Sequence, residues 1–272
     1  MREVPRSRFA SYIEEFIDPQ ADLVLASIAA GNTKGHLWES PQAGSPALLL
    51  WDQGNNVFYL AGELEEDSIK TFQHLVASRI KPAALTSDLA RFKVRALSGA
   101  WEQAILRLFS DISPEPLIKA LYLFDAPSVA AIPAVTLNEV TYSLIDAALL
   151  NRTDLKNLEI VRDEVEWMWP SLERFYEYGF GAAALLKDEI ICWCTAEYVS
   201  KGACGIGIET LRAYQNKGVA TATAAHFVDH CLRRNIHPYW ECWRDNIGSV
   251  RVAEKVGFEK IQEAPFWSGV FK

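Results

Sequence analysis

The sequence predicts an α/β (α+β) chain in which a mixed, mostly antiparallel sheet is flanked by helices. Three observations carry this. Residues 47–51 with 57–61, and 182–186 with 190–198, are apolar runs of strand length separated by turn residues. Ile206, Ile208 and Thr210 alternate with Gly207, Glu209 and Leu211, which is strand periodicity. From Val219 onward the pattern becomes helical, so a strand, a turn and a helix follow one another.

The elements follow in order. Residues 1–30 read as helices, with Phe9, Tyr12, Ile13 and Phe16 at helical spacing and a second apolar run at 23–30 after Asp18-Pro19. The strands 47–51 and 57–61 flank Asp52-Gln53-Gly54-Asn55-Asn56. Helices are expected from Asp67-Ser68 to about 78 and at about 98–109, then a strand at 121–124. Pro127 and Pro133 bracket a less regular segment, which sets an N-terminal domain at 1–125 and a second domain at 126–272. In that domain 137–149 is amphipathic and 165–178 helical, stopped by Gly179-Phe180-Gly181. A hairpin turns on Lys187-Asp188-Glu189, and a strand at 204–211 completes a meander. Helix 219–234, strand 238–244, helix 247–256 and a closing pair of strands within 258–271 finish the chain.

A chain of 272 residues, half of them apolar and with nine Trp, builds a full core. A net charge of −8 argues against nucleic acid as a partner, because phosphate binding needs a basic surface. It is compatible with cationic amines and is also ordinary for soluble proteins. Five Cys without CxxC spacing suit a reduced, cytoplasmic protein. No membrane segment or cleaved leader is expected.

The turn after the signature strand reads Gln215-Asn216-Lys217-Gly218-Val219-Ala220, and downstream stands Asn246-Ile247-Gly248-Ser249, leading to Gly257-Phe258. A helix start leaves backbone N–H groups without partners and adds the positive end of the macrodipole, an arrangement that binds phosphate. Gly218, lacking a Cβ, lets a ligand lie against the backbone. Together, and in this order, the two segments resemble the Gcn5-related N-acetyltransferase (GNAT) superfamily. The chain as a whole looks most like the zwittermicin A resistance type of GNAT acetyltransferase. The resemblance is detailed over roughly 125–272. It implies a GNAT-type sheet, acetyl-CoA as cosubstrate, a small-molecule amine as acceptor and direct attack in a ternary complex. It is compatible with a homodimer.

The resemblance implies that the amides of Asn216, Lys217, Gly218, Val219, Ala220 and Thr221, after Gln215, take the pyrophosphate. Lys217 either adds a cation there or is solvated. Ile208, Glu209 and Thr210 fall where the strand backbone pairs with the pantetheine arm. Asn246 meets the cofactor, caps the helix after it, or does both. Glu209 is the best-placed carboxylate to take the amine proton, with Glu197 and Glu241 as alternatives. Many relatives carry a Tyr as acid four residues before the Gly of Gly-Phe; this chain has Ala253. Ser249 is a substitute, or a first-turn residue bonding to backbone. The first half shares a hairpin-then-helix order, as a degenerate GNAT-like domain would, yet has no counterpart of residues 215–220.

His226 and His230 share one helix face at zinc-hydrolase spacing, but Asp229 replaces the needed Glu and no third ligand is evident. They are expected on a solvated face, opposite Ala224, Phe227, Val228, Cys231 and Leu232, and no metal is expected. Gly205-Ile206-Gly207 lies within a strand and lacks the third small residue of a dinucleotide loop. Trp167, Trp169, Trp240 and Trp243 read as core and cleft walls. A non-catalytic acyl-CoA-binding regulator and a protein N-acetyltransferase are the rival readings.

Overall fold

A computed structural model describes residues 1–40, 45–87, 89–127, 129 and 135–272; Pro133 lies outside them. The chain divides into two units, Met1–Ile118 with Ala264–Lys272, and Lys119–Glu263. This division differs from the 125/126 boundary in placing the first break at 118/119 and in giving the last nine residues to the first unit.

The first unit opens with β1 (Arg2–Glu3), a 3-10 segment (Arg6–Glu15) and α1 (Pro19–Ala30). Asp18 starts α1 by accepting from the N–H groups of Gln20 and Ala21, both at 3.2 Å. Then come β2 (Gly35–Glu39), β3 (Leu48–Asp52), β4 (Val57–Ala61), α2 (Glu66–Leu75), a π-helical turn (Val76–Ile80), α3 (Lys81–Thr86), β5 (Arg91–Ala96) and α4 (Gly99–Leu108). The strands β1, β2, β3 and β4 pair antiparallel in sequence, and β4 pairs parallel with β5. Leu48, Leu49 and Leu50 are fully buried. A strand covered on both faces reads as one apolar run rather than an alternation.

The second unit takes β6 (Glu115–Leu123) from Lys119 onward, then β7 (Val140–Ile145), α5 (Ala147–Leu150), α6 (Leu158–Met168), α7 (Leu172–Tyr178), β8 (Gly181–Leu186), β9 (Glu189–Ser200) and β10 (Ala203–Thr210). After them come α8 (Val219–Arg233), β11 (His237–Trp243), α9 (Ile247–Val256) and β12 (Glu259–Val270). β7, β8, β9 and β10 form an antiparallel meander, β10 meets β11 in parallel, and β11 pairs antiparallel with β6. The part of β12 from Ala264 onward belongs to the first unit and pairs antiparallel with β5 there, Trp267 opposite Val94. The observed architecture is thus the mixed α/β fold with a mostly antiparallel sheet that the sequence predicts. Each unit repeats one order: four antiparallel strands, a helical segment, a parallel strand, a helix.

Several expectations need correction. The 165–178 helix is two helices, because Trp169 precedes Pro170 and takes extended geometry (φ −101°, ψ 153°). Ser171 then caps α7 by accepting from Arg174 N. The amphipathic segment 137–149 is strand β7 followed by the short α5. The closing pair of strands is the single strand β12. The first predicted helix is a 3-10 segment. β1, β2 and β5 were not expected, although Phe92, Val94 and Ala96 alternate with Arg91, Lys93 and Arg95 in the sequence.

Among the described residues, no helix is long and apolar enough to cross a membrane.

Candidate active site

β10 and β11 are joined only at their starts, Ala203 opposite His237 and Cys204 opposite Pro238. β10 nevertheless stays paired with β9 out to Thr210, and β11 with β6 out to Trp243. The two strands therefore part beyond residues 204 and 238, leaving a wedge with an unpaired backbone edge on each side. Side chains alternate across it. Ile206, Ile208, Trp240 and Cys242 pack with Ala224 and Phe227 of α8. Gly207, Glu209, Glu241 and Trp243 take the opposite face.

The turn into α8 begins where the wedge ends. Asn216 (φ 60°) and Gly218 (φ 83°) both adopt left-handed geometry, which reverses the chain within a few residues. Gln215 Nε2 donates to Thr210 O at 3.1 Å and ties the turn to the strand. Gly218 provides no side-chain cap, and Ala222 N donates to Gly218 O at 3.1 Å. The amides of Val219, Ala220 and Thr221 thus precede the first intrahelical bond, at the positive end of a 15-residue helix.

A cavity of about 460 Å³ runs along this corner. Ile208 and Thr210 line it from β10, Gln215 and Asn216 from the turn, and Gly218, Val219, Ala220 and Thr221 from the start of α8. Asn246 and Ser249 close it from α9. Lys217 and Glu209 do not line it. Lys217 O accepts from Thr136 N at 3.2 Å. Glu209 is exposed on the other face of β10.

Asn246 caps α9, with Oδ1 accepting from Ser249 N at 3.2 Å, while it also borders the cavity. Ser249 Oγ accepts from Trp240 Nε1 at 3.0 Å. Ala253 is fully buried in the core, so no hydroxyl reaches the cavity from that position. Sequence reasoning missed Arg251 and Lys255, which bring two cations to the wall. Their spacing of four along α9, three and seven residues beyond Gly248, was the available signal.

Across the sheet lies a second group that sequence reasoning missed. Glu164, on α6, accepts from Trp193 Nε1 at 2.5 Å and Thr195 Oγ1 at 3.0 Å. Burial drives its carboxyl above the ordinary range against these two bonds, and the charge of Glu209 adds to the rise. A Cβ built on Gly207 would stand 2.5 Å from Glu197 Oε1, so Glu197 and Glu164 share this face with Glu209. Glu241 is paired with Lys119 Nζ at 2.5 Å, and that ammonium lies over the Trp243 ring.

His226 and His230 are not on a solvated face. His226 stacks on Tyr142 at 4.1 Å, and His230 lies 5.2 Å from the Phe180 ring. Burial lowers both imidazole pKa values. No cluster able to hold a metal occurs among the described residues. Trp169 and Trp240 are core residues, whereas Trp167 is 48% exposed.

A parted parallel strand pair, with a cavity between the end of β10 and an uncapped helix start, defines an acyltransferase-type α/β fold. The chain belongs to the GNAT acetyltransferase family, whose family model matches residues 14–266. It is similar to the uncharacterized N-acetyltransferase YdfB of Bacillus subtilis strain 168, with 20% identity over 263 residues, 97% of this chain and 96% of that protein. Among solved structures it resembles a GCN5-related N-acetyltransferase-like protein from Streptococcus suis 89/1591. The TM-score is 0.68 at 18% identity, over 97% of this chain and 98% of the other. A tandem GNAT protein from the clavulanic acid biosynthesis pathway is similar at TM-score 0.58 and 11% identity, over 99% and 98%. At these identities the structures attest the fold.

The first unit ends its β4 differently. Trp101 Nε1 donates to the carbonyls of Ala61 and Gly62 at 3.0 Å each, and Glu66 and Asp67 sit in the first turn of α2. Acidic residues there complement the helix dipole themselves and repel a phosphate.

Proposed function

We propose that this chain is an acetyl-CoA-dependent N-acetyltransferase that acts on a small-molecule amine by direct attack in a ternary complex. The observation that carries this is a cavity bordered by the end of β10, the uncapped start of α8 and the start of α9, beside strands that part beyond Cys204 and Pro238.

The residues present fit the cosubstrate. Free amides at 219–221, with Arg251 and Lys255, suit a diphosphate. The unpaired edge of β10 at Ile208, Glu209 and Thr210 suits the amide groups of a pantetheine arm. Acetyl-CoA, when bound, supplies an acetyl group activated as a thioester. The protein holds the phosphates at the turn, aligns the arm along β10 and excludes water at the wedge. Glu209 takes the proton from the acceptor ammonium, directly or through water, and Glu197 on the same face is the alternative. Glu241, held by Lys119, is poorly placed for that role. Ser249, which lines the cavity, would assist the departing thiolate. The resistance-type resemblance favours an aminopolyol as acceptor.

The buried Ala253 favours a second reading, a non-catalytic acyl-CoA-binding regulator. One assay separates them. Purified protein is mixed with acetyl-CoA and a panel of aminopolyols, polyamines and peptides, and free thiol is followed. Thiol release with small amines supports the proposal, and release with peptides alone redirects it to protein acetylation. Tight CoA binding with no release across the panel overturns it in favour of the regulator.

A further inference from the structure

The turn between β10 and α8 runs outside the core. Leu211 N donates to Ile191 O at 3.0 Å, and the chain becomes buried again at Val219. Between them Arg212, Ala213, Gln215 and Asn216 are exposed, and Asn216 stands in left-handed geometry. A residue other than glycine keeps that geometry only where its surroundings hold it.

Tyr214 adds a hold from a different element. It is half-buried, lines the cavity and packs against the buried cluster of Ala184, Ile191, Cys192 and Val219. Its hydroxyl donates to Glu189 Oε2 at 2.7 Å, at the start of β9. That bond raises the phenol above its ordinary range, so the hydroxyl stays a donor. A carboxylate beside a hairpin turn is ordinarily free to swing, but this one is held. Asn157 Nδ2 donates to Glu189 Oε1 at 3.2 Å and to Ile190 O at 3.1 Å. Asn157 opens α6, where an Asn side chain commonly caps the helix. It makes no such cap, and its amide serves Glu189 and Ile190 instead. The backbone secures the same spot, with Ile190 N donating to Lys156 O at 3.2 Å and Lys156 N to Asp188 O at 2.8 Å. The two oxygens of Glu189 thus meet one donor from α6 and one from the turn.

We infer that Tyr214 is a positioning residue that, through Glu189 and Asn157, fixes the turn in the shape that presents the amides of 219–221 to a diphosphate. This rests on the acyl-CoA reading of the cavity. Without the tether the turn visits other shapes, and only the fraction in the presenting shape binds. The apparent dissociation constant then rises by the inverse of that fraction.

The test measures, by calorimetry, the binding of CoA and of the nucleotide half of CoA, which carries the diphosphate without pantetheine. Tyr214→Phe removes the hydroxyl and keeps the ring. It should weaken both ligands by about fivefold, the effect of one ordinary hydrogen bond. Glu189→Ala should weaken both by a similar factor, and the double variant should match Glu189→Ala, since the two residues act through one bond. With a competent amine, the KM for acetyl-CoA should rise by that factor while the KM for the amine stays within about twofold. A merely structural loss would not split the two KM values. Unchanged affinity in Tyr214→Phe, or losses that multiply in the double variant, overturn the inference. A loss for CoA without one for its nucleotide half puts the effect at the pantetheine arm and overturns it as well. Should Glu189→Ala fail to fold, Tyr214→Phe with the two ligands decides alone. CoA that does not bind wild type overturns the acyl-CoA reading beneath it.

Discussion

Trp193 Nε1 donates to Glu164 Oε2 at 2.5 Å, and that bond anchors a half-buried carboxyl group on the sheet face opposite the cavity. Thr195 holds the second oxygen. Despite both bonds, desolvation wins and the carboxyl is raised.

The raised value makes a prediction about stability and pH. Folded Glu164 keeps its proton to higher pH than the unfolded chain does. Its stabilising contribution is complete below the unfolded carboxylate range, near about 4, and is lost as pH rises through the folded value. Urea midpoints of wild type and Glu164→Gln, compared across pH, should therefore shift in favour of the variant as pH rises. A gap that stays constant would mean that Glu164 does not titrate differently in the folded protein.

Gly218 opens α8 in left-handed geometry, which costs other residues about 1–2 kcal/mol. Gly218→Ala should lose about that much in urea denaturation and keep measurable CoA binding. Gly218→Glu adds bulk and negative charge beside the free amides and should abolish CoA binding in calorimetry. Unchanged affinity in Gly218→Glu would remove the turn from the binding site.

Arg251 and Lys255 reach the cavity wall from exposed positions on α9. Exposed charges act through a field that salt screens within about 10 Å at 0.1 M ionic strength. Arg251→Ala with Lys255→Ala should weaken CoA binding by roughly tenfold at low salt, in line with a hydrogen bond to a charged group. The loss should shrink as salt is added. A deficit independent of salt would point to lost packing instead of charge.

Gly207 separates the two faces of the site. A methyl there meets Glu197 Oε1 at 2.5 Å and Thr195 Oγ1 at 3.1 Å, the first being the movable end of a side chain. Gly207→Ala should therefore fold, push the Glu197 carboxylate aside and raise the KM for the amine, with the Kd for CoA unchanged. An equal loss in both constants would argue that the strand itself has shifted.

Phe227 is fully buried in α8 and stacks on Phe180 at 5.2 Å. Phe227→Ala should cost about 3–5 kcal/mol, the range for a large aromatic removed from a core. Urea unfolding gives the value directly, and a cost under about 1 kcal/mol would mean that the helix does not depend on this contact.

The legible parts of the sequence were those governed by local chemistry. The helix 247–256 is where the capping residue Asn246 and the terminating Gly257 place it. The hairpin on Lys187 and Asp188 and the strand–turn–helix around Gly218 also follow from short-range signals. Alternation in 91–96 was present but overlooked. The break at Pro170 was readable too, since a residue before proline avoids helical geometry. Glu164 was not legible, because nothing in its neighbours says that Trp193 and Thr195, 29 and 31 residues away, will close over it.

By itself the sequence determined where the chain turns, caps and alternates, and through Gln215 to Ala220 and Asn246 to Phe258 its superfamily likeness. These depend on the conformational preferences of a few adjacent residues. Only the tertiary structure decided that β10 and β11 part after two paired residues, that Glu209 faces away from the cavity while Arg251 and Lys255 border it, and that Trp240 meets Ser249. Those outcomes depend on strand register and on which side of a sheet each helix covers, and both are settled by packing between segments distant along the chain.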